Sequence, residues 1–397
     1  MKFIHTADLH LGSPFLGLKK MPAPLWEKVK TSTQQALEEM VSTAISEQVD
    51  FFIISGDVYD SDHPSIRAID FFIRQCQRLA SVQIPVYLIY GNHDHQQVTS
   101  TSSLPANVHV FNNQVETKYL TLADQTKVAL TGFSYPKRWV EGDMVKHYPH
   151  READVDWQIG LLHGAQQQQD QHYAPFQLAE LATKNYNYWA LGHIHHHQLV
   201  EDNPFAVYPG SLQGQQPNEE GGHGYYLVES QGHQLVTQFI PVAPIEWQTI
   251  RITAPQTANL VDFEQELGQQ VTANLSSDKY YLVQLQLTGK LDSHLQQLVL
   301  SGDLLAHLQD QRHDVSQWWP YRLTMHRKKQ LPALTDFDQE YWDQAAQEVF
   351  TPEQIIASAA GLTHEKFIAD ALTKVDPAVF HQQVIDLITG REQQDED

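Results

Sequence analysis

Through the first part of the chain, to about residue 240, short apolar runs alternate with longer stretches whose apolar positions recur every three to four residues. Lys2 to Ala7 reads as a strand; Leu25, Val29, Leu37, Met40, Val41, Ala44 and Ile45 share a helical face; Phe51 to Ile54 returns to strand. Ile66, Ile69, Phe72, Ile73 and Leu79 predict a second helix, and Pro85 to Tyr90 a third strand. Further strands are predicted at Val108 to Phe111, Lys127 to Phe133, Gln158 to Leu162, Tyr188 to Leu191, Phe205 to Tyr208, Gly224 to Val228 and Leu235 to Ile240. Alternation of this kind implies an α/β layered fold, because each sheet buries its faces against neighbouring layers.

Pro241 and Pro244 interrupt that pattern. Beyond them Trp247 to Ile252, a helical stretch from Leu260 to Val271 and a strand from Tyr280 to Leu287 predict a small α+β domain ending near Thr324. Met325-His326-Arg327-Lys328-Lys329-Gln330, followed by Pro332, reads as a linker. Ile355, Ile356, Ala359, Phe367, Ile368, Leu372, Phe380, Val384, Leu387 and Ile388 then return to helical spacing. A chain of 397 residues has room for two or three cores. The expected organisation is a site-bearing domain over 1–245, a small capping domain over 246–325, and a linker with a C-terminal helical region over 326–397.

Candidate chemistry sits just after the predicted strands, where ligands of open α/β sheets gather. The blocks are Asp8-Leu9-His10, Gly56-Asp57-Val58-Tyr59-Asp60, Gly91-Asn92-His93-Asp94, Leu162-His163-Gly164 and Gly192-His193-Ile194-His195. Asp8 and His10 stand one residue apart, so an extended chain leaving a strand brings both to one metal, and His193 and His195 repeat that spacing. Gly56 permits a tight turn before Asp57, whose carboxylate can bridge two ions. Asn92 adds an amide oxygen and His163 another imidazole. This mixed donor set suits Mn²⁺, Fe or Zn²⁺ better than Ca²⁺ or an all-oxygen Mg²⁺ site, with Mn²⁺ the first choice. Two ions roughly 3.5 to 4 Å apart lower the pKa of a bridging water and hold phosphate oxygens for in-line attack. His93 is assigned outside the metal shell, stabilising charge on phosphorus or protonating the leaving oxygen, with Asp94 orienting its imidazole. No protein nucleophile is needed.

Composition changes the picture in three places. With 41% hydrophobic and 19% charged residues the chain is neither disordered nor membrane-like, and no apolar stretch approaches the roughly 20 residues that span a bilayer. The amino terminus runs straight into Asp8 without a signal peptide's layout, and Cys76 is the only cysteine, so a cytoplasmic protein without intrachain disulfides is expected. A formal net charge of -22 works against autonomous DNA binding, which draws its affinity from Lys and Arg. Local basic patches remain at Lys137, Arg138, Lys146 and Arg151, and at Arg327, Lys328 and Lys329.

In order and spacing the five blocks resemble the calcineurin-like metallophosphoesterases, and Phe3 to Gly12 is similar to the opening of their SbcD branch of DNA repair exonucleases, particularly the YhaO type. The resemblance covers the chain to about residue 245. It implies a layered metallophosphoesterase β-sandwich flanked by helices, with Asp8, His10 and His195 on one metal, Asn92, His163 and His193 on the other, and Asp57 on both. His93 falls on the family's catalytic histidine. Also implied are Mn²⁺-dependent cleavage of DNA ends by metal-bound hydroxide, a nuclease homodimer, and an SMC-like ATPase of the SbcC type, docked through the C-terminal helices. Two departures stand out. Asp60 occupies a position where several such nucleases carry a second histidine, and the segment Tyr208 to Glu220 holds no basic residue.

Two other functions are compatible with the same residues: a stand-alone phosphoesterase for nucleotides or other small phosphate esters, and a non-catalytic scaffold that keeps the fold for binding. Blander roles are expected elsewhere. His5 reads as structural, Cys76 as a small buried hydrophobe, Tyr59 as packing beneath the site, Trp318 and Trp319 as core of the small domain, and His196 and His197 as a wet rim.

Overall fold

The computed structural model describes residues 1–325 apart from 19–20, 96–103, 168–170, 203–204, 257–258, 277–278, 290 and 313–316, together with 349–351 and 354. The predicted linker beyond Met325, its basic residues and the helical positions from Ile355 to Ile388 lie outside the described residues. Met1–Leu287 with Leu291–Thr324 form one compact unit. A second unit comprises Thr288–Lys290 and Met325–Asp397.

The chain opens with β1 (Lys2–Thr6), α1 (Ala23–Ser46), β2 (Phe51–Ser55), α2 (Ile66–Ser81), β3 (Val86–Ile89) and β4 (Val108–Val110). It continues through β5 (Glu116–Thr121), β6 (Lys127–Gly132), β7 (Trp157–His163), α3 (Leu178–Thr183), β8 (Tyr188–Gly192), β9 (Gln198–Asp202) and β10 (Phe205–Tyr208). There follow β11 (Gly224–Gln231), β12 (Gln234–Pro241), β13 (Ile245–Thr253), α4 (Leu260–Ala273), β14 (Tyr280–Thr288), α5 (Ser293–Ser301), α6 (Asp303–Asp310) and β15 (Trp318–Met325). One six-stranded sheet runs β12-β11-β1-β2-β3-β4, a second β5-β6-β7-β8-β10-β9, and a three-stranded sheet β13-β14-β15.

Alternating side chains explain the layers. On β2, Phe51 and Ile53 face the second sheet and pack with Val128, Leu130, Ile159, Leu161 and Tyr188. Phe52 and Ile54 point the other way, onto Leu37, Met40 and Val41 of α1 and Phe72, Cys76 and Leu79 of α2. Because both faces are buried, β2 reads as an unbroken apolar run. The outer face of the second sheet is covered in turn, with Leu162, Trp189 and Leu191 packing against Tyr148 and against Leu181 of α3. Two sheets flanked by helices, as the resemblance implies, are therefore what forms. Trp247, Leu282 and Trp319 of the third sheet pack with Phe15 and Val29, and Trp318 is also buried, so both tryptophans are core.

β1, β2 and β3 are parallel neighbours, as are β7 and β8. All five site blocks therefore leave the carboxyl ends of strands in two facing sheets, which is why residues as far apart in sequence as 8 and 195 can meet. The apolar pattern did not expose β5, β9, α3, α5, α6 or β15. β5 is an edge strand with every residue at least partly exposed, and α3 is only six residues long.

Between the sheets a buried histidine interrupts the apolar core. His5 is fully buried, with Nδ1 2.9 Å from the Tyr188 hydroxyl and Nε2 3.2 Å from both the Leu191 carbonyl and Ser55 Oγ. Burial pushes its imidazole down to about 3, the Leu191 carbonyl opposing only in part. Its ordinary value is 6.5, so below pH 6.5 the unfolded chain takes up a proton that the folded chain refuses. The stability contribution is complete above 6.5 and is lost as pH falls toward 3. At pH 5 the loss is expected to reach about 2 kcal/mol. Urea midpoints at pH 7.5 and 5 should therefore differ more in the wild-type protein than in His5→Asn; equal differences would remove His5 as the cause.

Candidate metal centre

Asp8, His10, Asp57 and His193 all hold positive φ angles, of 51°, 42°, 52° and 100°. Side-chain-bearing residues pay of order 1–3 kcal/mol for this, so surrounding structure must impose it. Backbone hydrogen bonds do so: Asp8 N–H donates to the Gly56 carbonyl at 3.0 Å, His10 N–H to that of Asp57 at 3.0 Å and Leu11 N–H to that of Val58 at 2.9 Å. The loops after β1 and β2 are thereby zipped together. Glycine is required where these loops press on His163. A Cβ on Gly56, itself at φ 98°, would collide with the His163 ring, and one on Gly192 with the Ser55 carbonyl oxygen.

The seven expected ligands divide around Asp57. On one side His10 Nε2 lies 3.1 Å from His195 Nε2, and each of these nitrogens is 4.0 Å from Asp8 Oδ1. On the other, Asn92 Oδ1 lies 3.0 Å from His163 Nε2 and 3.2 Å from His193 Nδ1. Asp57 Oδ2 stands between them, 3.8 Å from His10 Nε2 and 3.3 Å from His163 Nε2. The His193 N–H donates to Asp8 Oδ2 at 3.0 Å, tying the end of β8 to that of β1. Asp8, Asp57, Asn92 and His163 are almost wholly buried.

Those distances carry an electrostatic demand. Burial raises the Asp8 carboxyl, the nearby histidines opposing. Burial acts likewise on Asp57, but His163 and then His10 outweigh it and hold Asp57 well below the usual carboxylate range. Against burial, Asp60 and then the Asp57 and Asp8 charges raise His10 to about 9; Asp57 and Asp8 do the same for His163. Buried carboxylates so close together need countercharge. Protons on the imidazoles supply it when no ion is bound, and a divalent cation is the natural replacement. Facing Nε2 atoms, carboxylates and an amide oxygen fit divalent ions, and Asp8, His10 and His195, like Asp8, Asp57 and His163, bring their ligand atoms within 4.8 Å of one another.

His93 lies beside this cluster, one ring nitrogen within 4.8 Å of ligand atoms of His10 and Asp60. Its N–H donates to Asp57 Oδ1 at 3.0 Å, its ring packs edge-on to His10 at 4.9 Å, and Nδ1–H donates to the Asp60 carbonyl at 3.0 Å. The expectation that Asp94 orients the His93 imidazole is corrected here. Asp94 is fully buried and its carboxylate accepts three backbone N–H groups instead, from Val58 at 2.7 Å, Tyr59 at 3.2 Å and Gly91 at 2.8 Å. A carboxylate saturated by backbone donors clamps the two ligand loops together, and the Asp60 carbonyl takes the orienting role. Tyr59 packs under the site on Phe72, while His196 and His197 are exposed, His197 stacking on Phe239.

Two neighbours, Glu219 and Tyr173, were not expected, and Asp60, already part of the second block, makes a contact that was not expected. Glu219, nearly buried, accepts from His195 Nδ1 at 2.7 Å, and His195 holds its carboxyl down to about 2 against the effect of burial. The Asp60 side chain lies 3.3 Å from His10 Nδ1. The Tyr173 ring covers His193 at 4.4 Å. Their sequence signal is slight, an acidic pair in a polar loop and an aromatic after a glutamine run.

Fold and site together gather carboxylate, imidazole and amide donors suited to divalent ions at the ends of two facing sheets. A family profile described as calcineurin-like phosphoesterase matches residues 1–197. Among relatives, YhaO of Bacillus subtilis, an uncharacterized metallophosphoesterase, is 34% identical over 66% of this chain and 65% of its own length. The DNA double-strand break repair protein Mre11 of Thermoplasma acidophilum is 24% identical over 72% of this chain and 77% of its own. The SbcD component of the nuclease SbcCD from Staphylococcus saprophyticus is 25% identical over 62% and 70%. The chain thus matches just under two thirds of the length of YhaO. A solved dimetal phosphatase from Danio rerio, 13% identical over 60% of this chain and 98% of its own, gives a TM-score of 0.35, too low to bear on function. Among the described residues no helix is long and apolar enough to cross a membrane.

Proposed function

We propose that this protein is a two-metal nuclease that hydrolyses phosphodiesters at DNA ends. The observation that carries the reading is the division of two ligand groups around the single buried carboxylate of Asp57. Asp8, His10 and His195 would hold one ion and Asn92, His163 and His193 the other, with Asp57 serving both groups and Mn²⁺ best suited to the donors. Bound ions would supply Lewis acidity toward phosphate oxygens and toward attacking water. His93, steadied by the Asp60 carbonyl, meets the developing charge or the leaving oxygen through Nε2.

DNA as substrate rests on the nature of the relatives and on one loop. Lys137, Arg138 and Trp139 are exposed, Trp139 at 52%, and the Arg138 guanidinium lies 5.8 Å from the Trp139 ring centre. The next residue, Val140, donates its N–H to the His172 carbonyl at 2.9 Å, beside Tyr173, whose ring covers His193. Cations and an aromatic face beside a phosphoesterase site suit a polynucleotide strand. The nuclease segment 1–245, the cap 246–325, docking of an SMC-like ATPase on 326–397, homodimerisation and a cytoplasmic location belong to the same proposal. A second reading, a small phosphate ester as substrate, draws on the net charge of -22 and the absence of basic residues from 208–220.

The full-length protein with Mn²⁺, with and without chelator, is to be given end-labelled duplex DNA and a chromogenic phosphodiester. Chelator-sensitive cleavage of both supports the nuclease; turnover of the small ester alone selects the second reading. The triple substitution Lys137→Ala, Arg138→Ala, Trp139→Ala is expected to lower DNA cleavage about tenfold or more, since stacking on one base is worth roughly 1–3 kcal/mol, and to leave ester turnover unchanged. Equal turnover of DNA by variant and wild type would detach the loop from substrate.

A further inference from the structure

The connection from β10 to β11 carries a polar loop, 211–221, that lies between the metal centre and the third sheet, with Ser211, Gln213, Gln215 and Glu219 all buried. On one side it holds two of the expected ligands. The Ser211 N–H donates to the His195 carbonyl at 2.9 Å, and Glu219 Oε1 accepts from His195 Nδ1 at 2.7 Å. The Gln215 side-chain amide donates to the His10 carbonyl at 3.3 Å and to Thr33 Oγ1 of α1 at 3.2 Å, while the Gln215 backbone N–H fixes Glu219 Oε2 at 2.7 Å.

On its other side the same loop is stitched to β13. The Gln213 amide pairs with Ile245 much as a neighbouring strand would, Nε2 donating to the Ile245 carbonyl at 2.8 Å and Oε1 accepting the Ile245 N–H at 3.3 Å. Trp247 Nε1–H donates to the Gly214 carbonyl at 3.0 Å, the Gly221 N–H to the Trp247 carbonyl at 3.1 Å, and the Thr249 hydroxyl to the Glu220 carboxylate. Polar groups buried in this way have no water to fall back on, so a loop that followed one body and left the other would strand donors and acceptors. Its position is therefore set by β13 and by the ligand-bearing segments together.

Resting on the reading that Asp8, His10 and His195 hold an ion, we infer that the third sheet is a working part of that ion's site. Gln213 and Trp247 are positioning residues that act on His10 and His195 through Gln215 and Glu219, without touching the ion. Such coupling is reciprocal, so a bound ion steadies β13 by as much free energy as β13 lends to ion binding. A displacement of the third sheet accordingly lowers occupancy at the metal centre.

Hydrogen–deuterium exchange of the full-length protein, with and without Mn²⁺, reads the coupling directly. Bound Mn²⁺ should slow exchange about tenfold or more along β13 as well as in 211–221, and leave α6 unchanged. By calorimetry Trp247→Phe, which keeps a ring against Tyr321 but offers no donor to the Gly214 carbonyl, should weaken Mn²⁺ binding about 5- to 50-fold, and Gln213→Ala at least as much. Leu308→Ala opens a cavity in α6, on which no hydrogen bond of the loop depends, and should lower the melting temperature without moving Mn²⁺ affinity. Thermal melts of the metal-free variants verify folding; Trp247→Phe carries the test should Gln213→Ala not fold, and the wild-type exchange needs neither. Exchange along β13 that ignores bound Mn²⁺, unchanged affinity in the folded variants, or an equal loss in Leu308→Ala would each overturn the inference while leaving the nuclease reading intact. No binding of Mn²⁺ by the wild type would overturn both.

Discussion

Asp57→Asn is expected to lower kcat/KM by about 10³-fold or more and to reduce the bound metal below two ions per chain. The side chain serves both ligand groups, and its other oxygen accepts the His93 N–H at 3.0 Å. Asparagine keeps an oxygen for that hydrogen bond and loses the charge, so the ions suffer more than the loop. Lewis acidity at a phosphoryl centre is worth several kcal/mol, and each 1.36 kcal/mol is tenfold in rate. Elemental analysis of the purified variant beside steady-state kinetics checks both halves of the expectation. Two retained ions with normal turnover would remove Asp57 from the centre of the mechanism.

His93→Ala is expected to lower kcat about 10²- to 10⁴-fold with both ions retained, since a positioned acid or base contributes in that range. The size of the loss on two substrates separates the two roles open to this ring. If His93 protonates the leaving oxygen, the variant should be far worse on DNA, which releases a basic alkoxide, than on a chromogenic ester whose phenolate leaves unaided. If it stabilises charge on phosphorus, both substrates should suffer alike. Loss of metal together with turnover would make His93 a ligand. Its Nδ1–H bond to the Asp60 carbonyl places that acceptor on the backbone, so Asp60→Asn should leave the orientation of His93 in place while affecting ion binding through His10.

Much of this protein was readable before its structure. Strands buried on both faces announced themselves as apolar runs, and the blocks after them stood out because candidate metal ligands come as particular residue types at short spacings: one residue between Asp8 and His10, one between His193 and His195. Such features are local, so one sequence suffices to see them. The edge strand β5 and the short helix α3 lacked a strong apolar period and went unseen.

What only the tertiary structure decided is which groups face one another across the ends of two sheets. Nothing in Gly91-Asn92-His93-Asp94 tells that Asp94 turns inward to three backbone N–H groups and leaves His93 to the Asp60 carbonyl. Nor does the loop Tyr208 to Glu220 disclose that Glu219, rather than Glu220, reaches His195. A residue's chemistry belongs to its side chain and can be read from the chain. The partner that sets its tautomer, charge and direction comes from another strand, brought there by packing of the two sheets, and that pairing has no period along the sequence.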